Sequence, residues 1–219
     1  MARFFRNNGL TIVLMLLFIG SIIGQWLTGW RFENELLAEH GEASITLAQY
    51  AGDPQFLSTV FENWESEFLQ MAAFVVLTAC LYQKGSAESE DPDEPPRDAD
   101  LAAQARKRGA PTLLRMGASV RWVYAHSLGI VLAVLFMVTF TLHWLFSAQE
   151  AADEAARHGE PAQSLIDHLT GAQMWFESFQ NWQSEFLSTA VLIVLSIYLR
   201  QAESPESKPV AAPHSQTGA

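Results

Sequence analysis

Cysteine is nearly absent. Cys80 stands alone among 219 residues, which excludes an intrachain disulfide and a cysteine-based metal site. Formal charge is missing from two long stretches, the 24 residues from Asn7 to Trp30 and the 28 from Trp122 to Gln149. Each is long enough to cross a hydrocarbon core about 30 Å thick. Four apolar blocks are expected to span, and basic residues are scarce between the first and second and between the third and fourth. Arg31 and Arg157 are the only ones there, and the other eleven lie before the first block, in the central linker, or at and after the end of the last. No Ser-His-Asp order, nucleotide loop, metalloprotease motif or haem-attachment motif occurs, so nothing argues for an enzyme. No small-residue cleavage site follows the apolar block behind Arg3 and Arg6, which speaks against a signal peptide.

What the chain does have is a duplication. Phe61-Glu62-Asn63-Trp64-Glu65-Ser66-Glu67-Phe68-Leu69 returns 118 residues later as Phe179-Gln180-Asn181-Trp182-Gln183-Ser184-Glu185-Phe186-Leu187. Holding that offset from Arg3 to Gln83 gives 27 identities in 81 pairs without a gap. One two-helix unit is therefore written twice.

Two shorter uncharged blocks, 16 residues from Phe68 to Gln83 and 14 from Phe186 to Leu199, follow the two copies of the motif. They reach the roughly 20 residues of a span only if the motif enters the membrane interface. The run Val191-Leu192-Ile193-Val194-Leu195 lacks the polar face that a surface helix of a soluble core would carry. The expected fold is all-α: a four-transmembrane-helix bundle of two tandem, same-orientation repeats with helical external caps, related by a pseudo-two-fold axis along the membrane normal. Residues 1–84 form the first repeat, 85–120 a disordered cytoplasmic linker, 121–200 the second repeat and 201–219 a disordered tail.

Lys and Arg in short loops set orientation. Their distribution places both termini and the linker in the cytoplasm of a multi-pass protein of the inner (plasma) membrane. The external stretches are acidic, with eight Asp or Glu in residues 31–67 and seven in 149–185, on a chain of net charge −11. Such a face concentrates cations or simply stays soluble.

Within the first repeat, Gly20, Ser21 and Gly24 offer a small-residue face for close packing. The first helix continues past Trp30 to a stop at His40-Gly41. Thr59 to Glu62 has the spacing of a capping box that would start the second. The third span is expected from Trp122 to Phe146 and the fourth from Phe179 to Leu199. Linker residues Arg106-Lys107-Arg108 and Arg115 suit anionic lipid headgroups at the cytoplasmic surface rather than nucleic acid.

On a helix Asn63, Ser66, Glu67 and Gln70 share one face, as do Asn181, Ser184, Glu185 and Ser188. Of the carboxylates in the motif, only Glu67 and Glu185 occupy the same place in both copies. Counting from Lys84 and Arg200 puts each roughly 22–26 Å from the inner anchor, near the outer edge of the hydrocarbon. Carboxylates there mark ion or proton sites, or hydrogen-bond the neighbouring repeat through indole or amide donors. The motif His40-Gly41-Glu42 recurs as His158-Gly159-Glu160, whose two His and two Glu are weak metal candidates beside ordinary helix capping. No metal or other cofactor is expected. His143 reads as a hydrogen-bonded residue of the bundle.

These motifs, with the Asn-Gly-Leu start, Gln-Trp-Leu-Thr-Gly-Trp and Lys-Gly-Ser-Ala-Glu-Ser, give a chain that resembles an uncharacterised family of bacterial integral-membrane proteins out to about residue 205. The resemblance implies a bacterial inner-membrane protein and carries no activity or catalytic residues with it. The expected role is non-enzymatic: an envelope interaction or structural protein whose partners are the bilayer, a second copy or another membrane protein. The alternative is a small cation or proton channel or transporter using Glu67, Glu185, Asn63 and Asn181.

Overall fold

A computed structural model describes residues 2–218. Its elements are helical: α1 (Ala2–Glu39), α2 (Leu47–Tyr50), α3 (Pro54–Thr78), α4 (Leu101–Gln104), a 3₁₀ turn (Thr112–Arg115), α5 (Ala118–Ala125), α6 (Ser127–Arg157), α7 (Leu165–Thr170) and α8 (Ala172–Tyr198). The protein is all-α, with no strand among the described residues. Two helices, α1 and α6, are long and apolar enough to cross a membrane. No residue in the most apolar stretch of α1 is buried.

Helix boundaries recur at the spacing of the sequence repeat. The end of α6 lies 118 residues after the end of α1, and the starts of α7 and α8 lie 118 after those of α2 and α3. The chemistry behind these boundaries also recurs. Gly41 (φ 74°) and Gly159 (φ 69°) take the left-handed conformation that ends a helix. Glu42 N–H bonds Leu37 O at 2.8 Å and Gly41 N–H bonds Ala38 O at 3.2 Å; Glu160 to Ala155 and Gly159 to Ala156 repeat both distances. This pair of bonds is the Schellman cap, which satisfies carbonyls left open at a helix end.

The start of α3 differs from expectation. The helix begins at Pro54, not near Thr59, because proline suits a first helical position and Asp53 caps it by accepting from Gln55 N–H at 3.0 Å. Thr59 lies inside the helix, its hydroxyl donating to Phe56 O at 2.9 Å. Where one span was expected from Trp122, the chain breaks at His126 between α5 and α6. The His126 ring stacks on Trp122 at 4.5 Å and Ser127 Oγ donates to Tyr124 O at 2.8 Å, so side chains compete for the carbonyls that a continuous helix would use. Gly20 and Gly24 serve no close approach, since a Cβ added at either meets nothing within 4 Å.

The chain forms two compact units, one of Met1–Val60 with His143–Leu165, the other of Phe61–Leu142 with Ile166–Ala219. Each draws on both sequence repeats. In the first, Leu37, Tyr50, Phe56, Val60 and Ala148 are buried together with His143 and Glu33. In the second, Phe136 and Phe140 of α6 pack against Trp175 and Trp182 of α8, with ring centroids 6.2 Å apart for both Phe136–Trp182 and Phe140–Trp175. Residues 201–218, expected to be unstructured, carry a set of side-chain hydrogen bonds in the second unit.

Candidate functional site

The first unit holds a polar cavity of about 430 Å³, lined by Glu33, His40, Glu42, Asp53, Gln55, Glu150, Asp153, Glu154, Arg157 and His158 among others. The helix ends described above bring these residues together. Indole donors fix the loops that follow: Trp26 Nε1 donates to Leu47 O at 3.1 Å and its counterpart Trp144 to Leu165 O at 2.9 Å. The first copy adds Trp30 Nε1 to Ile45 O at 2.8 Å and a two-way bond between Asn34 and the Ile45 backbone.

Arg157 is the one Lys or Arg in this lining. Its Nη2 lies 3.2 Å from Glu33 Oε1 and its Nε 3.9 Å from Glu42 Oε1. Glu33 is buried, so it draws most of its charge balance from that guanidinium. Asp53 is raised above the usual carboxylate range, first by burial, against which the Gln55 N–H and Arg157 work; Asp153 raises it further. The Tyr50 phenol is pushed up to about 12, first by burial and then by the negative charges of Asp53, Glu33 and Glu150.

His40, Glu42 and His158 line this cavity and Glu160 is not among its lining residues. Among the described residues no group of three or more His, Cys, Asp or Glu is placed to hold a metal ion. His40 Nδ1 lies 2.8 Å from Leu36 O on its own helix.

The second unit contains the motif helices. Asn181 Nδ2 donates to Glu62 Oε1, Trp182 Nε1 to Glu65 Oε1 at 2.8 Å, and Gln70 Nε2 to Thr189 Oγ1 at 2.7 Å. These pairs are separated in sequence by 119, 117 and 119 residues, so α3 and α8 run parallel and in register along this stretch. Glu65 is fully buried, and an intramolecular hydrogen bond of this kind contributes about 0.5–1.5 kcal/mol.

The carboxylates that bridge the helices are thus Glu62 and Glu65, which the second copy replaces with Gln180 and Gln183. The pair common to both copies is placed differently: Glu67 is exposed, Glu185 is half-buried and within electrostatic reach of it. Asn63 is exposed, whereas Asn181 bridges the helices. Ser66 and Ser184 each donate at 2.8 Å to the carbonyl three residues back, on Asn63 and Asn181, and so serve their own helices. His143 is fully buried.

An apolar cleft of about 420 Å³ continues below the Gln70–Thr189 bond, lined by Phe74, Leu77, Ala190, Ile193 and Val194 among others. The family described as Domain of unknown function (DUF6766) matches residues 1–219. No curated protein and no solved structure matches the chain.

Proposed function

The chain belongs to the DUF6766 family over its whole length, and on that premise we propose that it is a four-span protein of a bacterial inner membrane with a non-enzymatic envelope-interaction role. In this reading α3 and α8 join α1 and α6 as spans, both termini and the linker are cytoplasmic, and the acidic caps form the contact surface. Linker arginines and lysines meet anionic lipid headgroups on the inner side.

The observation that carries the reading is the use made of the motif carboxylates. Glu62 and Glu65 accept from Asn181 and Trp182, so two of the acids near the outer edge join the parallel helices instead of lining a path. Polar side chains in such positions serve as interhelical glue. A competing reading as a cation or proton pathway rests on Glu67 and Glu185, which lie within electrostatic reach of each other.

The two separate in liposomes loaded with the full-length protein and assayed for proton and monovalent-cation flux. No flux is expected from the wild type. Flux that disappears in a folded E67Q/E185Q double variant would replace the scaffold with a pathway.

A further inference from the structure

The apolar cleft below the Gln70–Thr189 bond lies wholly within the second unit. It uses Gln70, Phe74 and Leu77 of α3 and Phe186, Ala190 and Ile193 of α8, spaced by three or four residues, so each helix turns one face to it. Helix α6 lies against another side of α3, where a Cβ added at Gly129 would meet Val76 Cγ2 at 3.5 Å. Among the described residues none of α6 lines the cleft, which leaves it open on the side away from that helix.

Its two ends differ. At one, Gln70 Nε2 donates to Thr189 Oγ1 at 2.7 Å and ties the helices together. At the other, α3 has stopped at Thr78 and the lining continues through Leu81 and Tyr82, which are 63% and 62% exposed. A turn that the duplication repeats fixes this open end: Gln83, Ser86, Glu88 and Ser89 return 118 residues later as Gln201, Ser204, Glu206 and Ser207. Gln83 N–H donates to Ser89 Oγ at 2.9 Å and Gln201 N–H to Ser207 Oγ at 2.9 Å. Glu88 N–H donates to Ser86 Oγ at 3.1 Å and Glu206 N–H to Ser204 Oγ at 3.3 Å. Gln83 and Ser89 both line the cleft, so bonds within the chain hold its mouth in shape. From Gln70 to Thr78 helix α3 rises about 12 Å, as α8 does from Phe186 to Val194. The hydrocarbon of one leaflet is about 15 Å deep.

We propose that the cleft holds one acyl chain of an inner-leaflet phospholipid, which enters past Tyr82 and ends at the Gln70–Thr189 bond. The proposal rests on the four-span reading, which puts the C-terminal ends of α3 and α8 at the inner surface. A void of about 420 Å³ would leave its walls without van der Waals partners, so in a close-packed bilayer it is filled. Water does not suit it, because a buried water needs about three polar partners and the side chains of Phe74, Leu77, Ala190 and Ile193 offer none. A helix of another protein is too wide: a segment about 12 Å long and about 10 Å across occupies roughly twice that volume. A single hydrocarbon chain fits a slot between two parallel helices that runs most of one leaflet. At the mouth the exposed Tyr82 and Gln83 supply hydroxyl and amide donors for ester oxygens, and exposed Lys84 follows with a cation for the phosphate.

The test extracts the full-length protein in mild detergent from vesicles of phosphatidylethanolamine and phosphatidylglycerol and weighs it by native mass spectrometry. One phospholipid retained per chain is expected. A190F places a ring in the cleft and should retain at least about tenfold less. V191F makes the same change one position on, at an exposed residue that does not line the cleft, and should retain the lipid as the wild type does. In wild-type protein rebuilt into vesicles containing a phosphatidylcholine with a mid-chain diazirine, crosslinks should gather on Phe74, Leu77, Ile193 and Val194. No retained phospholipid in the wild type, equal retention in A190F, or crosslinks spread evenly over the apolar helices would each overturn the proposal. A lipid-free dimer that A190F abolishes would also overturn it, giving the cleft to a second copy. Reporter fusions after Gly41 and after Ala99 read the four-span arrangement separately. Opposite sides with no retained lipid removes the cleft assignment alone, whereas the same side removes both.

Discussion

Gly29 offers a sharp test of packing in the first unit. A Cβ added there would lie 2.4 Å from Tyr50 Oη and 3.0 Å from Tyr50 Cε1 and Cζ. Comfortable contact is about 3.5 Å, so the ring would have to retreat by about 1 Å. Its surroundings oppose this, because Tyr50 is 4% exposed and its ring lies 5.3 Å from that of Phe56. Overpacking costs about 1–3 kcal/mol, while alanine in place of glycine in a helix interior contributes about 1 kcal/mol in favour. G29A should therefore destabilise the protein by about 1 kcal/mol net. Y50F removes the 2.4 Å contact and leaves only those at 3.0 Å, so in that background G29A should be neutral or stabilising. The assay is a double-mutant cycle on the full chain, unfolded by denaturing detergent in mixed micelles and followed by tryptophan emission. A coupling of about 1 kcal/mol is expected. Equal tolerance of G29A in both backgrounds would refute the close approach of Tyr50 to α1.

Tyr50 should titrate late, its phenolate absorbance rising near pH 12, and Y50F should remove that phase. Its folded value exceeds the unfolded one of about 10, so its contribution to stability is present below that pH and lost as pH rises through about 12. R157M should destabilise by about 1–3 kcal/mol, less than for a fully buried pair because Arg157 is 40% exposed. Adding E33Q should recover most of the loss in the same unfolding assay; no recovery would mean that the pair is not what holds Glu33.

Local chemistry was legible where one residue decides it. His40-Gly41 and His158-Gly159 announced helix ends, and the structure puts left-handed glycines there. The all-α fold followed from apolar blocks of helical length. The interhelical carboxylates were not legible by the criterion of identity between copies, for a physical reason. When parallel helices meet in register, equivalent positions come together, and two identical carboxylates there would repel. The bridging acids are therefore Glu62 and Glu65, whose counterparts are the neutral Gln180 and Gln183. The turns after Gln83 and Gln201 were readable in principle, since Gln, Ser, Glu and Ser recur at one offset. Their polar composition resembles a solvated segment, and only the shared bonds distinguish them.

Helix α1 runs 38 residues without a break, about 57 Å. On the four-span reading, roughly half of that length is embedded and the rest is a stiff lever. A tilt of about 10° at its root would swing its far tip by about 10 Å. Thickening or thinning of the lipid around the root would thus register as a sideways displacement where α1 terminates.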